Sequence, residues 1–192
     1  MPKTLKPARG SPITPDHWLA RARRLPSPNF DVRPDPADIS LLVIHNISLP
    51  PDQFGGPWID DLFLNRLDLK AHPYFESLRD LKVSVHCCIF RDGRLTQYVP
   101  FDQRAWHAGK SNFEGRERCN DFSIGIELEG CDTKPFTQAQ YQRLIGVTRS
   151  LLTTYPKLSR SRIVGHSDIA PGRKTDPGPG FDWARFRKEL RT

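Results

Sequence analysis

The sequence predicts an α/β fold, a single domain built on a mixed central β-sheet flanked by helices with long loops, and three stretches carry that expectation. Residues 41–46 read LLVIHN, an almost unbroken aliphatic run suited to a central strand buried on both faces. Residues 122–130 read FSIGIELEG, in which Phe122, Ile124, Ile126 and Leu128 alternate with Ser123, Gly125, Glu127 and Glu129. That period of two places both acids on the face opposite the apolar one. Thr137 and Gln140 stand at capping-box spacing, and Tyr141, Leu144, Ile145, Thr148, Leu151, Leu152 and Tyr155 follow at helical spacing. Strands alternating with helices along a chain of 192 residues fit one α/β core.

The remaining elements follow in chain order. Residues 1–26 form a basic, proline-rich extension, of which 1–16 are expected to be a mobile lead-in. Pro26, Pro28, Pro34 and Pro36 keep the chain after it extended. The strand 41–46 then ends on His45, which the pattern puts at an edge of the sheet. From Asn46 to Leu81 the chain holds Pro50, Pro51, Gly55, Gly56, Pro57 and Pro73 and only a short helical pattern, WIDDLFLNRL, as expected of a functional loop or lid. VSVHCCIF and LTQYVP flank RDGR, whose Asp92-Gly93 pair favours a tight hairpin turn. After the helix, a short strand near 162–164 leads into GHSDIAPGRKTDPGPG, and Asp182 is placed to cap a last helix through WARFRKEL.

Composition narrows the function classes. A formal charge of +7 suits anionic partners, but the basic residues are scattered apart from Arg21, Arg23 and Arg24, and no nucleic-acid motif is present. A nucleic-acid partner is therefore not expected. No stretch reaches the length of a membrane span, and the N-terminal residues lack the apolar run of a secretory signal, so a cytoplasmic location is expected. Cys87, Cys88, Cys119 and Cys131 form no C-x-x-C pair, which points to free thiols and agrees with a reducing compartment.

His45 and His166 each follow an apolar strand, and Asp176 lies ten residues after His166 between Pro171 and Pro177. If the two strands are neighbours, both imidazoles reach one sheet edge, where open α/β sheets place their sites. Two imidazoles and one carboxylate suit catalytic zinc because they leave a position for water. Spacing leaves a second reading open, in which each histidine is merely hydrogen-bonded at a strand end, since no compact motif such as H-E-x-x-H is present.

The blocks HNISLPP, QRAWHAG, GRERCNDFSIGIELEG and GHSDIAPGRKTDPGPGFDW, in this order, resemble the zinc-dependent N-acetylmuramoyl-L-alanine amidases, a family that includes phage-type amidases and peptidoglycan-recognition proteins. The likeness is greatest to the family's cytosolic branch and covers about residues 27–190, so 27–192 reads as a zinc amidase domain. The resemblance implies cleavage of the amide between the lactyl group of 1,6-anhydro-N-acetylmuramic acid and L-alanine in peptidoglycan recycling, with an indirect influence on β-lactamase regulation. It implies Zn2+ as cofactor, held by His45, His166 and Asp176, where many relatives have cysteine in place of the aspartate. It also places Glu127 on the acid that works with the attacking water, Lys174 on a catalytic lysine, and Asn46, Trp106 and Arg118 on substrate-binding positions.

Lys82 stands where close relatives carry arginine, which weakens the case for bidentate carboxylate recognition there. Ser167 replaces a common cysteine, and Gly172 replaces a common glutamate in a way expected to loosen the loop carrying Lys174 and Asp176. His86 and His107 remain supporting or structural candidates, while His17 and His72 carry no assigned role. The expected enzyme acts as a monomer on an anhydro-muropeptide, without membrane or nucleic acid. Its rivals are a secreted wall-lytic amidase, against which the missing signal argues, and a non-catalytic peptidoglycan-binding module, against which the complete ligand set argues.

Overall fold

The computed structural model describes residues 10–191. Its strands are β1 (Arg23–Arg24), β2 (Phe30–Val32), β3 (Leu41–Ile47), β4 (Cys87–Ile89), β5 (Leu95–Gln97), β6 (Gln103–Ala105), β7 (Asn112–Phe113), β8 (Arg116–Glu117), β9 (Ser123–Glu129) and β10 (Ile163–Gly165). The α-helices are α1 (Trp58–Phe63), α2 (Gln138–Thr154), α3 (His166–Ile169) and α4 (Trp183–Arg191). Six strands make one mixed sheet in the order β1-β5-β4-β9-β3-β10, while β2 pairs with β6 and β7 with β8. Every neighbouring pair in the large sheet is parallel except β4–β5, the hairpin expected around Asp92-Gly93. There Cys88 lies opposite Thr96, and the Phe90 amide donates to the Arg94 carbonyl at 2.9 Å.

Burial follows the patterns in the sequence. Leu42 and Ile44 of β3 join Ile124, Ile126 and Leu128 of β9 against Leu144, Ile145 and Leu151 of α2 and Phe186 and Leu190 of α4. Leu41 and Val43 face the other way, into a cluster with Ala108, Phe122, Val164 and Ile169, so β3 is covered on both sides. At the start of α2 the Thr137 hydroxyl accepts the Gln140 N–H at 3.1 Å, and the Gln140 side chain accepts the Thr137 N–H at 3.0 Å. The Gln140 amide also donates to the Ile89 and Glu129 carbonyls, tying the cap to the sheet. Asp182 caps α4 by accepting the Arg185 N–H at 2.9 Å.

The extension expected over residues 1–26 is corrected in part. Residues 1–9 lie outside the described residues, but 10–26 fold onto the domain. Leu19 is fully buried in the main core, Ile13 bridges to Leu19, and β1 adds a parallel edge to β5. The boundary at residue 26 is therefore no break in packing, and the lead-in expected to run to residue 16 is already ordered at Ser11, which is buried. Two-residue strands have no periodicity to read, which is why the segment looked like a tail. In the 46–81 stretch α1 is joined by a 3-10 turn, Pro73–Leu78, capped by the His72 ring, which accepts the Tyr74 N–H. Among the described residues no helix is long and apolar enough to cross a membrane.

Parallel pairing positions the site. His45 lies opposite Glu127 in the β3–β9 register, and Gly165 lies opposite Ile44 in β10–β3. The C-terminal ends of three adjacent strands thus present Glu127, His45 and His166 along one edge, as the sequence anticipated for neighbouring strands.

Candidate metal centre and active site

His45 and His166, both buried, and Asp176, half-buried, come together with their inward atoms in a tight triangle. His45 Nδ1 is 3.0 Å from His166 Nδ1 and 3.0 Å from Asp176 Oδ2, and His166 Nδ1 is 3.1 Å from the same oxygen. The outer nitrogens also meet partners. His45 Nε2 is 2.9 Å from His107 Nδ1, and His166 Nε2 is 3.1 Å from the Ala108 carbonyl. The carbonyl can only accept, so His166 carries its proton on Nε2, which leaves Nδ1 as a lone pair. With the same tautomer at His45, three lone pairs converge and repel unless a cation sits among them. Tetrahedral zinc separates its ligands by about 3.3 Å, for bonds of roughly 2.0–2.1 Å, so the triangle fits a metal ion. Burial depresses the His45 pKa to about 4, against the Asp176 hydrogen bond that raises it, so the imidazole is neutral at physiological pH as a ligand must be.

The loop that delivers Asp176 is tied down from both sides. Ser167 N–H donates to the Asp176 carbonyl at 3.0 Å, Lys174 N–H to the Ala170 carbonyl at 3.0 Å, and the Arg173 guanidinium to the Ala108 and Lys110 carbonyls at 2.6 Å each. Gly172 has φ of +74°, a left-handed conformation that glycine adopts without strain, so the residue expected to loosen this loop is the one that suits its turn.

Glu127 reaches the same cavity from β9. Its Oε2 is buried without a hydrogen-bond partner. Burial pushes its carboxyl well above the usual range, with the Asp176 charge adding to the rise and Lys174 opposing it. A buried carboxylate oxygen left unpaired is costly, and such groups mark functional positions.

These residues line a cleft of about 390 Å³ with Asn46, Trp106 and Lys174. Its apolar wall comes from the 46–81 stretch through Leu49, Leu62, Phe63, Tyr74, Leu78 and Leu81. Tyr74 and Leu81 are 40% and 44% exposed, apolar surface left open at the mouth of the cleft. Asn46 donates its amide to Asp132 Oδ1 at 2.7 Å and to the Pro177 carbonyl at 3.1 Å. It therefore anchors the loop that carries Asp176 and has only its carbonyl oxygen to offer a ligand. Lys82 is exposed and does not line the cleft. Arg118 does not line it either: its side chain is 71% exposed, 3.3 Å from Asp121, on a separate groove with Lys110, Glu117 and Arg173. Sequence reasoning left the partner of the His45 ring unassigned; it is His107, inside the QRAWHAG block. It also missed the apolar wall, whose residues are divided among α1, the 3-10 turn and the irregular chain around them.

Comparison with known proteins agrees with this geometry. The family model for N-acetylmuramoyl-L-alanine amidase matches residues 35–179. The 1,6-anhydro-N-acetylmuramyl-L-alanine amidase AmpD of Citrobacter freundii is 65% identical over 170 residues, covering 88% of this chain and 90% of that protein. A crystal structure of a selenomethionine AmpD derivative superposes with a TM-score of 0.88 at 63% identity, covering 91% of this chain and 97% of that one. Escherichia coli AmiD, solved with the substrate anhydro-N-acetylmuramic acid-L-Ala-D-γ-Glu-L-Lys, superposes with a TM-score of 0.59 at 33% identity, over 79% of this chain and 57% of AmiD. The chain belongs to the N-acetylmuramoyl-L-alanine amidase family.

Proposed function

We propose that this protein hydrolyses the amide between the lactyl group of 1,6-anhydro-N-acetylmuramic acid and L-alanine in soluble peptidoglycan fragments. The observation that carries the reading is the triangle of His45, His166 and Asp176 beside the unpaired Glu127 carboxylate. The same bond chemistry is named for relatives that share about two thirds of this sequence. His45, His166 and Asp176 would hold Zn2+, which when bound polarises the scissile carbonyl and supplies a water-derived nucleophile near neutral pH.

Glu127 takes the proton from the attacking water and delivers it to the alanine nitrogen as the C–N bond breaks, leaving a lactyl carboxylate and a free amine. Its raised pKa suits both halves of that task. Lys174 on the cleft wall places an ammonium where negative charge develops on the carbonyl oxygen, a contribution of about 3–4 kcal/mol for one well-placed donor. Trp106 offers an indole face to the sugar and the Asn46 carbonyl accepts a hydroxyl or amide N–H from it. Arg118 and Lys82, outside the cleft walls, are assigned to the carboxylates of the longer stem peptide, which extends beyond the scissile bond.

Cys87, Cys88 and Cys119 are buried free thiols and Cys131 is free as well, which supports action in a reducing compartment, the cytoplasm. We take the working unit to be a monomer without a membrane or nucleic-acid partner. The domain is assigned to residues from about 10 onward, because Leu19 belongs to its core.

Parallel assays on anhydro-muramyl tripeptide and on intact peptidoglycan, read by mass spectrometry, test the proposal. The soluble fragment should be cut at the lactyl–alanine bond and the polymer left largely intact. Efficient release of peptides from intact wall would favour a wall-lytic amidase, and binding without cleavage of either would favour a recognition module.

A further inference from the structure

We propose that His107 is a positioning residue for the metal centre, holding His45 in the tautomer and orientation that a metal requires, and that Gly125 is the cradle that admits its ring. The inference rests on the metal reading above and adds a residue to it.

The two histidine ligands are oriented by different means. His166 donates its Nε2–H to a backbone carbonyl, that of Ala108. His45 has a side chain as its outer partner, His107 Nδ1 at 2.9 Å, with the rings edge-on at 83° and centroids 5.0 Å apart. His107 Nε2 lies 3.2 Å from the Ser123 hydroxyl. If His107 donates to Ser123 Oγ, its Nδ1 is an acceptor, His45 carries its proton on Nε2, and His45 Nδ1 is left bare toward His166 and Asp176. The metal reading requires this direction of the chain Ser123–His107–His45, since the reverse one, with the Ser123 hydroxyl donating, would put the proton on His45 Nδ1.

Both outer partners come from one turn. Asn120 Oδ1 accepts the N–H of His107 at 3.1 Å and of Ala108 at 2.8 Å. That single amide oxygen fixes the backbone which puts an imidazole behind His45 and a carbonyl behind His166. Beneath the imidazole lies Gly125 of β9, where an added Cβ would fall 2.6 Å from both Cγ and Nδ1 of His107. The period-two pattern of β9 puts this position on the face of Glu127 and Glu129, and the ring occupies the space a side chain would take.

Outer partners of metal-bound histidines typically contribute about 10- to 100-fold in metal affinity. Zinc affinity, measured on the whole protein by competition with a chromophoric chelator, should fall by that factor in His107→Ala. His107→Asn keeps an oxygen acceptor near the Nδ1 position and should recover most of the loss. Gly125→Ala should weaken zinc binding in the native background but add little to His107→Ala, where the space is open. Thermal unfolding of the zinc-free variants serves as the folding control, and His107→Asn keeps the test meaningful should His107→Ala fail to fold. Native affinity in His107→Ala, or equal losses in the Ala and Asn variants, would overturn the positioning role while leaving the metal reading intact. Failure of the unsubstituted protein to bind zinc stoichiometrically would overturn the metal reading and this inference together.

Discussion

Glu127 is the residue at which chemistry separates most cleanly from structure. Its carboxylate oxygen has no hydrogen-bond partner, so Glu127→Gln removes a proton acceptor without breaking a bond on which the fold depends. Turnover should fall about 100-fold or more while zinc content stays at one equivalent; near-normal turnover would move proton transfer to another group. Arg118 tests an assignment that the structure places outside the cleft. A charge-assisted bond to a stem carboxylate, at about 1.5–3 kcal/mol, makes Arg118→Ala about 10- to 150-fold slower in kcat/KM on a tripeptide substrate and nearly neutral on one bearing L-alanine alone. Equal losses on both substrates would remove it from carboxylate reading. At this scale the sequence was legible where residue type and strand position coincide, as for His45, His166 and Glu127. It left His107 as no more than a supporting or structural candidate, because the partner of a ring nitrogen depends on which segments pack behind it.

Among the elements, β3, β9 and α2 were readable because their hydrophobic periods run long enough to stand above composition. The capping box at Thr137 and the turn at Asp92-Gly93 were readable from local chemistry alone. The segment 10–26 was not, since its only long-range signals are one buried leucine and a two-residue strand. Its membership of the domain has a measurable consequence. Leu19→Ala empties a fully buried site in the main core and should cost about 2–5 kcal/mol. For a domain of this size that lowers Tm by about 4–20 °C. A loss below about 0.5 kcal/mol in urea unfolding would show that residues 10–26 are an appendage.

Across the whole molecule, parallel strands deliver the candidate ligands from distant parts of the chain to one edge. His45 and His166 are 121 positions apart in sequence, yet the β3–β10 register leaves their Nδ1 atoms 3.0 Å apart. The alternation of strands and helices made the class legible, but strand order and the side on which each loop returns are set by long-range packing that no local pattern records. The irregular 46–81 stretch then closes the cleft with an apolar wall over a polar floor. The central claim is that this edge is a zinc-dependent amidase site directed at the lactyl–alanine bond. It is tested most directly by hydrolysing anhydro-muramyl tripeptide in 18O-labelled water, with zinc-loaded protein and with protein stripped by chelator, and weighing both products. The account predicts one labelled oxygen in the lactyl carboxylate of the sugar product, an unlabelled peptide with a free alanine amine, and no turnover by the stripped protein until zinc is restored. Label in the peptide, cleavage at another bond, or undiminished turnover after the metal is removed would contradict it.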